Sequence, residues 1–137
     1  MEIKIDASPL RRIVAELEQR GRDLRETTPQ IAEILVAAVA DVFEAEGPGW
    51  PGLAESTLRS RRGGGGGAKI LQDTGRLAGS IQPSHGDDWG AAGTGVGYGL
   101  FHVTGTGRMP ARDFLAIDFD ATTAEVADLL LADLARA

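Results

Sequence analysis

The sequence predicts an α+β domain, and three observations carry that prediction. Apolar residues recur at helical spacing through most of the first 46 residues. Glycines then divide the middle of the chain into short segments that suit strands and turns. From Thr122 to Leu134 the helical spacing returns. The expected order is two N-terminal helices, a small antiparallel sheet with long glycine-rich loops, and a C-terminal helix.

The first helix is expected to start at Ser8-Pro9, a capping serine followed by proline at the first helical position. Leu10, Ile13, Val14, Leu17 and Leu24 then share one face. Thr27-Thr28-Pro29-Gln30 repeats the start signal, and Thr27 with Gln30 has the spacing of a capping box. Ile31, Ile34, Leu35, Ala38, Val39, Val42 and Phe43 form the stripe of the second helix, which Gly47-Pro48-Gly49 ends. Beyond Trp50, residues 54–62 have the length of two helical turns, and Gly63 to Gly67 read as a flexible surface loop. Asp73 or Thr74 is placed to cap a single turn carrying Leu77. Residues 79–84 and 89–97 read as a hairpin with His85 to Asp88 as its turn. The glycines at 90, 93, 95, 97 and 99 weaken the second strand and point to bulges or close backbone approach. Phe114 to Ile117 is short, apolar and expected to be extended. Thr122 with Glu125 gives a second capping-box spacing, ahead of Val126, Leu129, Leu130 and Leu134.

The 137 residues suffice for one domain, taken as 1–137, with one core. Hydrophobic residues make up 42% and aromatics 5%, so aliphatic side chains must build most of that core. Cysteine is absent, which excludes disulfides, thiolate catalysis and cysteine-bound metal. The opening Met1 to Asp6 lacks the basic-then-apolar pattern of a signal peptide, and no run approaches the roughly 18 apolar residues of a membrane span. The net charge of −6 is uneven. Residues 1–46 carry six basic and ten acidic side chains, 47–117 seven and five, and 118–137 one and five. An acidic total disfavours non-specific duplex binding, which phosphate neutralisation drives. It fits a solvated acidic surface, or a ring lumen past which nucleic acid slides.

No catalytic, cofactor or metal set stands out. Gly67-Ala68-Lys69-Ile70 breaks the phosphate-loop pattern, and Gly93 to Gly97 misplaces the third glycine of the dinucleotide fingerprint. The two histidines, His85 and His102, leave metal binding to carboxylates such as Asp87 and Asp88, which in a turn more often face water. No glycine-flanked nucleophile occurs. His102 lies among Tyr98, Leu100, Phe101 and Val103 and reads as a partly buried histidine bonded to backbone. Arg108 and Arg112 bracket Met109-Pro110 and offer carboxylate-sized forks, though such loop arginines are commonly solvated. Trp50 suits either an interface anchor or a lid over the end of the second helix.

Four blocks in order resemble the phage virion morphogenesis family, which holds tail-completion and head-tail joining proteins of contractile-tailed and transposable phages. The first is Phe43 to Leu53 with Trp50, followed by Thr57. Next comes Ile70-Leu-Gln-Asp-Thr-Gly-Arg-Leu-Ala-Gly-Ser-Ile81. Tyr98-Gly-Leu-Phe-His102 with Gly105 is the third, and Met109-Pro-Ala-Arg-Asp-Phe-Leu115 the fourth. The chain departs from the family at Asp113, where proline is usual, and at Gly63 to Gly67, where a more basic stretch is usual.

The resemblance implies a structural virion protein of the phage neck, capping or completing the tail and joining it to the head as a six-fold ring. It implies no enzyme activity and no cofactor. The implied partners are further copies of the chain, the tail tube protein and a head-tail connector or other neck protein, with DNA only passing through the lumen and no membrane. The implied location is the host cytoplasm during assembly and then the virion. Trp50, Tyr98, His102, Gly105, Arg108, Met109, Pro110 and Arg112 are the expected subunit or tail interface. In that picture Tyr98 and His102 brace a turn, Gly105 to Gly107 project, and Met109, Pro110 and Arg112 set the exit against a neighbour. The alternative is a nucleic-acid-binding accessory module using Arg59, Arg61, Arg62, Lys69 and Arg76, opposed by the acidic total and the few stacking aromatics.

Overall fold

The computed structural model describes residues 2–4, 11–21, 24–52, 76–97, 99–107 and 110–136. Their order is β1 (Glu2–Lys4), α1 (Arg11–Gln19), α2 (Thr28–Glu44), α3 (Arg76–Gly79), β2 (Gln82–His85), β3 (Gly90–Gly93), α4 (Gly99–Thr104) and α5 (Phe119–Arg136). The α+β class and the C-terminal helix are as expected. The sheet has three strands rather than a lone hairpin: β1 pairs antiparallel with β3, giving the order β1-β3-β2.

Helix α2 lies at the centre. One side packs on the sheet and loops through Leu35, Val39 and Phe43, with Leu77, Ala92 and Phe114. The other side meets α1 and α5 around Leu17, Val126 and Leu130. Contact on two sides explains why α2 is apolar around most of its circumference.

The small residues of β3 follow from this packing. A Cβ on Gly90 would lie 2.8 Å from the Thr28 carbonyl oxygen and 2.9 Å from the Ala32 amide nitrogen. The strand approaches the helix backbone so closely that only glycine fits, as the glycine spacing anticipated. Pro83 sits opposite Ala92 on β2, an edge strand, where its missing N–H breaks no interior ladder. The hairpin turn is closed by Gly86 N–H donating to the Trp89 carbonyl at 2.9 Å. Thr28 Oγ1 donates to the Gly86 carbonyl at 2.6 Å and pins that turn to the start of α2.

Several local expectations are corrected. Thr27 makes no capping bond; its backbone is already helical, and its hydroxyl donates to Asp133 Oδ2 at 2.8 Å across the interior. Gln30 instead donates to the Glu26 carbonyl. Helix α5 begins a turn before Thr122: Asp118 Oδ1 accepts from the Ala121 amide, and Thr122 Oγ1 donates back to the Asp118 carbonyl. A carboxylate outcompeted the hydroxyl as cap. Leu24 lies past the end of α1, which Gly21 closes with a φ of 75°, yet it still packs against the α1–α5 layer. Phe114 to Ile117 is a turn, with Ala116 N–H on the Asp113 carbonyl and Leu115 N–H on Asp113 Oδ1. The expected turn carrying Leu77 is present as α3, with Leu77 buried. The Ser8-Pro9 start, the 54–62 segment, the 63–67 glycines and the Asp73 or Thr74 cap lie outside the described residues.

Candidate functional site: a loop junction beside the second helix

The end of α2 sets the junction. Three amides close the helix, Ala45 on Asp41, Glu46 on Phe43 and Gly47 on Val42. Glu46 and Gly47 then take φ values of 54° and 79°, a left-handed exit that glycine accepts without strain. The chain doubles back, and the Trp50 indole lies against Gly47 where any Cβ would stand. Gly47 is thus required both by its φ and by the ring above it.

Phe43 joins the pieces. Its ring meets Trp50 edge-on, with centroids 6.3 Å apart, and stacks on Phe114 at 5.5 Å. Phe114 is fully buried. Such paired aromatics contribute about 0.5–1.5 kcal/mol beyond the area they bury.

Arg112 ties the loops together. Only 6% of it is exposed, and its guanidinium donates from Nε to the Pro51 carbonyl at 2.9 Å and from Nη2 to the Gly52 carbonyl at 3.0 Å. Its amide donates to the His102 carbonyl at 2.6 Å. The fork that arginine offers a carboxylate is here spent on two backbone oxygens of an irregular segment. Arg112 is therefore not a solvated loop cation: it is buried and ties segments of its own chain together. What sequence reading missed is its distant backbone partners, which a pattern within one block cannot reveal.

A relay of hydroxyls holds the second block. The Val96 amide donates to Thr94 Oγ1, Thr94 shares a 2.6 Å bond with Ser80 Oγ, and Ser80 donates to the Leu77 carbonyl at 2.6 Å. Leu77 and Ile81 enter the same apolar cluster as Phe43 and Phe114.

The other expected site residues fall as follows. His102 is half-buried in the last turn of α4, a short helix absent from the sequence expectation. Gly105 closes α4 with a φ of 74°, and Thr106 and Gly107 stand exposed beyond it. Pro110 is exposed and Trp50 is half-buried. Tyr98, Arg108 and Met109 lie outside the described residues. The structure thus brings Trp50, His102 and Arg112 together, with Gly105 to Gly107 leaving from their edge.

Chemically the junction is a scaffold. The Arg112 guanidinium is engaged with backbone carbonyls, Ser80 and Thr94 with each other, and the apolar side chains pack together. Among the described residues, no three His, Asp or Glu side chains form a metal-sized cluster, and no helix is long and apolar enough to cross a membrane.

The blocks that meet here are those of a known class, proteins that build the phage particle. The model of the phage virion morphogenesis family matches residues 5–135, and the chain belongs to that family. Among its relatives is the Mu-like prophage FluMu G protein 1 of Haemophilus influenzae, 34% identical over 129 residues that cover 90% of this chain and 88% of that one. No solved structure matches. The family gives the protein a structural part in virion morphogenesis, as a component of the phage particle.

Proposed function

We propose that the protein works in the phage neck, where it completes or caps the tail and joins it to the head as a six-fold ring. The observation that carries this reading is where the family's blocks go. Trp50, Leu77, Ser80, Arg112 and Phe114 are joined in one junction by apolar packing and by side-chain hydrogen bonds to backbone carbonyls. A recurring pattern spent on shape belongs to a part that must fit other parts. The relative's placement in a Mu-like prophage supports the same setting.

In this reading the junction holds out the Gly105–Gly107 loop, and Tyr98, Arg108, Met109 and Pro110 beside it contact a neighbour. Trp50, His102 and Arg112 act from behind by fixing where that loop leaves. Partners are further copies of the chain, the tail tube protein and a connector or other neck protein, with DNA passing through the lumen. The protein assembles in the host cytoplasm and ends in the virion. A closed ring requires unlike surfaces on the two sides of each subunit, which an uneven charge distribution favours.

Deletion of the gene from its parent particle system, followed by electron microscopy of the lysate, tests the proposal. Full heads beside separate tails are expected, and tails of uncontrolled length would assign the protein to ending the tube. Normal infectious particles would overturn it and return attention to the cations between Arg59 and Arg76.

A further inference from the structure

A groove of about 420 Å³ opens between α2 and the start of α5. Ile34, Ala38 and Val42 from α2 and Ala121 from α5 supply its apolar lining. Asp41, Asp118 and Glu125 are its charged side chains, and no lysine or arginine lines it among the described residues. Small alanines let a visiting chain come close to both helices, and the carboxylates select a visitor with cations beside an apolar residue.

The sequence holds one segment of that chemistry. Leu58-Arg59-Ser60-Arg61-Arg62 places three cations within four residues, the densest such run in the chain. It lies in the net-positive middle of a protein whose two ends, which build the groove's helices, are acidic. Positive segment and negative groove belong to different stretches of the same chain, and head-to-tail contact between copies needs such unlike, complementary parts.

We propose that the groove between α2 and α5 receives the Leu58–Arg62 segment of a neighbouring copy. Leu58 is the apolar anchor, and Arg59, Arg61 and Arg62 pair with Asp41, Asp118 and Glu125. This rests on the ring reading above and names the contact that would close the ring.

The absence of cysteine makes the test clean. Two single variants, Ala45→Cys at the groove and Ser60→Cys in the segment, are co-produced so that both enter the same tails. A disulfide-linked dimer containing one of each is expected on isolated tails. The yield should fall about tenfold with Asp41→Lys and Glu125→Lys in the first variant, and recover when Arg59→Glu and Arg61→Glu are added to the second. No more cross-linking than with Ala15→Cys on α1 would overturn the inference. So would a bond formed only within one chain when both cysteines are placed in a single copy. Tails that carry the protein without this cross-link overturn the groove contact and leave the ring reading standing. Tails that lack the protein overturn both.

Discussion

The two sides of α2 are held by different means. Toward α1 and α5 the contacts are aliphatic, Leu17 against Val126 and Leu130, between helices whose backbones satisfy their own hydrogen bonds. Toward the loops the chain is irregular, and its carbonyls take side-chain donors: Arg112 on Pro51 and Gly52, and Ser80 on Leu77. Regular structure needs only area, whereas irregular structure also needs named donors. The helical side should therefore lose stability in proportion to the volume removed. The loop side should lose it bond by bond, and locally.

Phe114→Ala removes the ring stacked on Phe43 and should show the largest effect, about 3–5 kcal/mol in urea unfolding. A loss below about 1 kcal/mol would mean the aromatic junction does not hold the loops to α2. Arg112→Ala should cost about 2–3 kcal/mol, since it leaves two backbone carbonyls without their charged donor. Hydrogen exchange should then quicken in residues 50–52 and 99–112 while α1 and α5 keep their protection. Arg112→Lys should not restore protection, because one ammonium does not reproduce a fork bonded to two successive carbonyls. Uniform loss of protection would erase the contrast between the two sides.

Thr27→Val tests a buried polar tie on the helical side. It leaves the buried Asp133 with Arg136 Nη2 at 3.1 Å but without the Thr27 hydroxyl, for an expected loss of about 1–2 kcal/mol. Arg25→Ala removes an exposed 3.8 Å pair with Asp87 and should change stability by less than about 0.5 kcal/mol. If the Arg25 change exceeded the Thr27 change, exposure would not be the variable that ranks these contacts.

The periodic parts of the molecule were legible in the sequence. The stripes of α2 and α5, the glycine exit at Gly47 and the hairpin around Asp87 all depend on neighbours in the chain. What was not legible depends on distant partners. Glu2–Lys4 is only three residues long and gains its identity from pairing with β3. The Thr27 hydroxyl has the spacing of a cap but bonds 106 residues away. Arg112 looked like a loop cation because nothing nearby accounts for its burial. The blocks marked the family, while the reason for their residues emerged only when they were seen to meet.

The proposed role of the loop junction is to shape a part that completes the phage tail. Purified protein added to a lysate lacking its gene product tests this most directly, with infectivity and gold-labelled antibody read together. Recovery of infectious particles, with label at the head-proximal end of the tail, is the predicted result. Label elsewhere on the particle, or a lysate already infectious without the protein, would contradict it.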